Sequence, residues 1–156
     1  MFFTGSSDIT IDSKQRLAIP AKFRSQLDPE RDTAWYCVPW PGGILRLYSV
    51  TEYSSLTARW ERTLIPGADQ ADLEAEIFGS TERLEMDSAG RITIPRPMLD
   101  MAGLGTEVVV IGALSRLEVR DREAWKAGRN ERFARLPSVV EKIEPRRTAG
   151  RDPAGT

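Results

Sequence analysis

The chain has 156 residues, a net charge of −1, and 40% hydrophobic and 29% charged side chains, so its composition is globular, with room for one ordinary domain or two small ones. Histidine is absent, which excludes Ser-His-Asp and Cys-His catalysis and His-ligated metal sites; the single Cys37 can build neither an internal disulfide nor a thiolate metal cage. No apolar run approaches the ~20 residues that span a bilayer. Met1-Phe-Phe-Thr-Gly5 lacks the basic start and apolar stretch of a signal peptide, so a cytoplasmic location in a reducing compartment is expected.

Along the chain, Ile9 and Ile11 alternate with polar residues, as do Leu17 and Ile19, and both segments read as half-buried strands flanking a tight turn at Asp12-Ser-Lys-Gln15. Pro20 ends the second strand and a short helix is expected over 22–27. Trp35–Val38 and Ile44–Tyr48 read as strands joined by the turn signal Pro39-Trp-Pro-Gly-Gly43, with Cys37 a small buried apolar residue. Thr51 is a good helix N-cap, and the helix after it carries Tyr53, Leu56, Trp60 and Leu64 on one stripe until Pro66-Gly67 breaks it. An acidic helix follows over about 71–78. Leu84 and Met86 then open a strand–turn–strand segment through Asp87-Ser-Ala-Gly90 to Ile94, and Pro97–Ala102 reads as a short helix stopped by Gly103. Glu107–Ile111 and Leu114–Val119 read as strands, the first without polar alternation and so buried on both faces. Asp121 caps a more polar helix anchored by Trp125. Beyond it, Phe133, Leu136, Val140 and Ile143 continue an apolar stripe that Pro137 interrupts, and a disordered tail is expected from Pro145 onward.

The chain says one thing twice. Ile9-Thr-Ile-Asp-Ser-Lys-Gln-Arg-Leu-Ala-Ile-Pro20 returns as Leu84-Glu-Met-Asp-Ser-Ala-Gly-Arg-Ile-Thr-Ile-Pro95, the mark of a duplicated supersecondary unit. Each half is too small to bury a generous core alone, so the halves are expected to pack on each other or on further subunits. Asp87 suits the first position of a type I turn and Gly90 the left-handed residue after it. Gln15 stands in Gly90's place, where a positive φ costs on the order of 1 kcal/mol. Charge is unevenly spread: residues 1–27 sum to +2 and residues 69–87 to −6, so an acidic protein can still meet a polyanion through one face.

With these motifs quoted, the chain resembles the MraZ family over roughly residues 1–125. The likeness rests on the Met-Phe start with Gly5, on Ile11-Asp-Ser-Lys-Gln-Arg-Leu-Ala-Ile-Pro-Ala-Lys-Phe-Arg24 and on Met86-Asp-Ser-Ala-Gly-Arg-Ile-Thr-Ile-Pro95. Ala102-Gly-Leu104, Val108-Val-Val-Ile-Gly112 and Leu117-Glu-Val-Arg-Asp121 add to it. The resemblance implies an α+β, mainly β fold of tandem swapped-hairpin units like those of AbrB and SpoVT, with added helices. It implies no enzyme and no cofactor, but a ring-shaped homo-oligomer that regulates transcription of the division and cell-wall gene cluster. Such a protein binds short direct repeats of double-stranded DNA upstream of its own operon and is nucleoid-associated. The family's DNA-contacting arginine maps onto Arg16 and Arg91, and Lys14 matches a basic residue of the first motif where the second has Ala89. The expected division is 1–68 and 69–127 for the two repeats, then 128–156 for a helix and tail.

Each reading has a bland counterpart. Arg16 and Arg91 could simply pair with Asp12 and Asp87, since exposed ion pairs are common and contribute ~0–1 kcal/mol. The duplication and the resemblance favour DNA contact, with guanidinium groups held outward, free of a neighbouring carboxylate; guanidinium can bond guanine edges or phosphate oxygens in pairs. Asp12 and Asp87 are expected to shape turns rather than form a protease-like dyad, because each has an arginine four places on. Lys22 and Arg24 read equally as phosphate contacts and as a solvated helix face. The rival function is a protein-interaction module, an antitoxin-like partner binder, with its groove formed by the helices after Thr51 and Asp121.

Overall fold

The computed structural model describes residues 1–149, which fall into one unit over residues 1–123 and a second from residue 124. The first unit contains eight strands: β1 (Ser6–Thr10), β2 (Arg16–Ala18), β3 (Ala34–Trp40), β4 (Ile44–Ser49), β5 (Glu82–Glu85), β6 (Arg91–Thr93), β7 (Glu107–Gly112) and β8 (Leu117–Asp121). Its helices are α1 (Ala21–Arg24), α2 (Val50–Ala58), α3 (Ala68–Ser80) and α4 (Arg96–Met101), and α5 (Arg122–Ala127) leads out of it. The second unit continues as α6 (Arg129–Ala149).

The two sequence repeats are interleaved. The strands that flank each turn, β1 with β2 and β5 with β6, do not pair with each other. Instead β1 pairs antiparallel with β7 of the second repeat, β5 with β3 of the first, and β2 with β6. The result is a six-stranded sheet, ordered β1-β7-β8-β4-β3-β5, and a separate two-stranded ribbon. The expected tight hairpin is therefore only a turn, closed by Asp12 N–H to Arg16 O (3.1 Å) and Asp87 N–H to Arg91 O (2.9 Å), after which the flanks part. Strands this short cannot hold a two-stranded hairpin alone; exchange gives each a partner from the other copy.

An internal pseudo-twofold axis follows from the registers. Leu17 and Ile92, at equivalent places in the two motifs, face each other across the ribbon. At the sheet centre Leu45, Arg46 and Leu47 face Val119, Glu118 and Leu117. The core joins ribbon and sheet: Leu17 and Ile92 are fully buried in one cluster with Leu45, Leu47, Leu117, Val119 and Trp35. β7 lies between two strands, and Val108, Val109 and Val110 are all buried, as its unbroken apolar run requires. Phe23 of α1 and Met98 and Leu99 of α4 extend the cluster from equivalent short helices.

Several local expectations need correction. The cap of α2 is Ser49, whose hydroxyl accepts from Glu52 N–H; Thr51 instead donates its N–H to Asp32 Oδ1 at 2.8 Å. Once Ser49 and Asp121 are matched as the residues preceding their helices, Arg46 and Glu118 become equivalent positions that meet at the axis. The helix α2 ends at Ala58, so Trp60 lies beyond it, stacking edge-on against Phe78 and donating to Glu74, while Leu64 is 97% exposed. Residue 114 is not in a strand: Leu114 has φ 69° in the turn before β8 and bridges to Phe3. Finally, α6 runs through Pro137 and Pro145 to Ala149, where a tail was expected from Pro145; residues 150–156 lie outside the described residues. Pro137 has no N–H for the Phe133 carbonyl, yet the ring is accommodated within the helix.

Candidate nucleic-acid interface

The two turns are nearly congruent. In the first, Asp12 Oδ1 accepts the N–H groups of Lys14 and Arg16 at 2.9 Å each, and Oδ2 accepts Arg16 Nε at 2.6 Å. In the second, Asp87 Oδ1 accepts from Ala89 N (3.0 Å) and Arg91 N (2.9 Å), and Oδ2 from Arg91 Nε (2.8 Å). Each aspartate thus fixes its loop from within, the Asx-type role expected of it. In both, the backbone N–H of the arginine is the main influence, with the guanidinium bond adding to it, and holds the carboxyl below its ordinary range. Gln15 does take a positive φ, 63°, against 77° for Gly90, so the glutamine carries the left-handed strain that glycine avoids.

Arg16 and Arg91 stand at the mouths of these loops with side chains 31% and 35% exposed. The expectation that they would be free of a neighbouring carboxylate is overturned: each is ion-paired to its own aspartate. The pairing uses Nε alone, and among the described residues neither guanidinium makes a further hydrogen bond or ion pair. Both terminal nitrogens of each therefore remain for a bidentate partner. The aspartate fixes the direction in which the fork points, at the cost of offsetting the arginine's charge; the first loop keeps the charge of Lys14, and the second is left neutral.

Lys14 is exposed on the first loop, and the second has only Ala89 in its place. Lys22 is tethered by Nζ to the Ser6 carbonyl (3.1 Å) and lies 5.0 Å from the Phe23 ring centre. Arg24 donates Nε to the Ile19 carbonyl at 2.9 Å, and its side chain runs under Gly90, so closely that a Cβ there would lie 2.5 Å from Arg24 Cδ. Glycine is thus favoured at position 90 by its φ, and a side chain there would have to displace the arginine beneath it. Both cations have backbone anchors, which a purely solvated helix face does not provide.

One cluster escaped the sequence reading. Glu118, only 4% exposed, is ion-paired to Arg120 Nη2 (2.6 Å), Arg116 Nη2 (2.8 Å) and Arg46 Nε (3.6 Å). Burial pushes its carboxyl up, but the Arg120 and Arg116 hydrogen bonds outweigh that and hold it low. Arg46 in turn lies 4.3 Å from the Trp40 ring centre. The signal was available: Arg116-x-Glu118-x-Arg120 alternates with period two along β8 and the residue just before it. No group of residues suited to hold a metal ion occurs among the described residues, and no helix there is long and apolar enough to cross a membrane.

A family model described as "MraZ protein, putative antitoxin-like" matches residues 77–138. The protein named transcriptional regulator MraZ of Shewanella oneidensis is 31% identical over 124 residues, covering 79% of this chain and 82% of its own. Its namesake from Photorhabdus laumondii is 27% identical over 145 residues, 92% of this chain and 95% of its own. A third, from Idiomarina loihiensis, is 30% identical over 124 residues, covering 79% of this chain and 82% of its own.

Proposed function

Since the chain belongs to the MraZ family, whose relatives above are named as transcriptional regulators and not as enzymes, we propose that it regulates transcription by binding DNA through its two Asp-to-Arg loops. The observation that carries this reading is the pair of turns with matching hydrogen bonds, each presenting one oriented, half-exposed and otherwise unengaged guanidinium fork. Arg16 and Arg91 supply base or phosphate bonds, Lys14 adds charge at the first loop, and Lys22 and Arg24 reach neighbouring phosphates. Asp12, Asp87 and Gly90 shape the loops. In this reading the repeats 1–68 and 69–127 each contribute one loop, 128–156 lies outside the contact, and the protein works in the cytoplasm at the nucleoid without a cofactor.

One chain offers few contacts, so a homo-oligomeric ring presenting many loops gains affinity by effective concentration. Such a ring favours short direct repeats spaced near one helical turn, ~34 Å, which keep every site on one face of the duplex. The target is the DNA upstream of the protein's own operon in the division and cell-wall cluster. A titration of that DNA at two salt concentrations, against scrambled sequence, tests the reading. Preference for the upstream repeats with a steep salt dependence is expected; equal binding to the scramble removes the proposed specificity.

A second reading, a partner-protein module, is favoured by the antitoxin-like description of the family and by an apolar groove of about 370 Å³ lined by Trp40, Leu73, Ile77 and Met101, which is not formed by the helices after Thr51 and Asp121 where that groove was expected. Purification with a stoichiometric partner protein, and no affinity for DNA, is the result that selects it.

A further inference from the structure

The two loops do not match in charge, and the mismatch is complementary. Equivalent positions hold Lys14 in the first loop and Ala89 in the second, so the second loop lacks a cation. The short helices that follow each motif differ in the opposite sense: Arg24 ends α1, and the corresponding place in α4 is Leu99, an apolar residue buried in the core. Because the repeats are interleaved, Arg24 does not serve the loop of its own repeat. Its Cδ, Nε and Cζ lie within 2.5–2.7 Å of where a Gly90 Cβ would be, against the tip of the second loop. The ladder bond from Ile19 N–H to Gly90 O (3.0 Å) and the bond from Arg24 Nε to Ile19 O (2.9 Å) fix the arginine to that tip through one shared residue. Beyond the loop, Arg24, Asp87, Ser88 and Gly90 border an open cleft of about 280 Å³ that Leu27, Pro29 and Met86 also line.

We infer that Arg24 is the missing cation of the second loop, supplied across the repeat boundary, and that it binds a DNA phosphate beside Arg91. Each loop then carries two cations by a different route: Lys14 and Arg16 in the first, Arg91 and Arg24 in the second. The routes differ in rigidity. Lys14 is a flexible exposed point charge, whereas Arg24 has its Nε anchored and only its terminal nitrogens to offer, so less side-chain freedom is lost on binding. The glycine at position 90 acquires a functional sense here, because a side chain there would displace the guanidinium. This inference rests on the proposed DNA-binding role.

The test is a set of salt titrations of full-length protein on the upstream repeat DNA. Arg24→Ala is expected to weaken binding and to lower the slope of log affinity against log salt by about one for each second loop engaged. Adding Ala89→Lys to that variant should restore the slope, because it rebuilds on the second loop the charge the first loop has; a merely structural role for Arg24 would not be rescued by a lysine at position 89, which does not replace the bond from Arg24 to the Ile19 carbonyl. The Arg24 effect should vanish in an Arg91→Ala background and persist in an Arg16→Ala background. If Arg24→Ala fails to fold, Arg24→Gln, which keeps a donor for Ile19 O, carries the same comparison. A slope unchanged in every folded Arg24 variant, while Arg16→Ala with Arg91→Ala abolishes binding, overturns this inference and leaves the wider reading standing. Full binding by the Arg16→Ala, Arg91→Ala protein overturns the wider reading itself.

Discussion

Asp12 and Asp87 each hold their loop with two backbone bonds and one guanidinium bond, and this sets how the loops respond to acid. A carboxylate whose folded pKa lies below its unfolded value adds stability above the unfolded value, near 3.9. That contribution is lost as the pH falls through the lower folded value. Asp87→Asn should therefore be less stable than the parent at pH 7, with the gap closing below about pH 4. Denaturation at several pH values measures this, and a gap that does not narrow at all on acidification below pH 4 contradicts the geometry. Glycine and glutamine at the loop tips make an opposite pair of expectations. Gly90→Ala should cost roughly 1–3 kcal/mol, because a side chain there meets both a φ of 77° and Arg24. Gln15→Gly should be neutral or gain up to about 1 kcal/mol by relieving left-handed strain, with chain entropy opposing it. Urea midpoints of the two variants should move in those directions.

At the scale of elements, the ribbon β2–β6 joins the copies where the core is deepest. Leu17→Ala or Ile92→Ala should each cost about 2–5 kcal/mol, and the double variant should cost less or more than their sum because the residues face each other. Glu118→Ala should cost on the order of 3 kcal/mol, since it leaves three guanidinium groups around an empty carboxylate site. Most elements were legible because each carries a local signature: the unbroken Val108–Ile111 run, the Pro20 and Pro95 stops, the alternation around the motifs. What could not be read was partner choice. Alternation says that Ile9 and Leu17 face a core, but a period of two is the same whichever strand lies alongside, so the local signal left β2 on β1 when it belongs on β6. The extent of α6 was hidden by Pro137 and Pro145, which normally end helices. Arg24 under Gly90 was illegible for the same reason as the strand exchange: no local pattern joins residues so far apart in the chain.

For the whole molecule, duplication has two consequences. It gives one chain two loops of the same shape, the geometric basis for engaging a repeated ligand. It also frees equivalent positions to diverge, so that Arg46 and Glu118 became an ion pair across the pseudo-twofold axis, while the second cation of each loop came from a different element. The ion pairs of Arg16 and Arg91 with their aspartates fit this picture. An exposed pair contributes ~0–1 kcal/mol, less than the ~1–3 kcal/mol of a good base contact, so the aspartate orients the guanidinium without withholding it. In the proposed role a single loop is expected to bind weakly, with repeat DNA held through several at once. The most direct measurement is the affinity of the Arg16→Ala, Arg91→Ala protein for direct-repeat DNA beside the parent protein, with thermal unfolding run in parallel. Loss of at least ~30-fold in affinity with an unchanged fold is the predicted result, given ~1–3 kcal/mol for each of the two contacts. Unaltered affinity in a folded double variant would contradict the account.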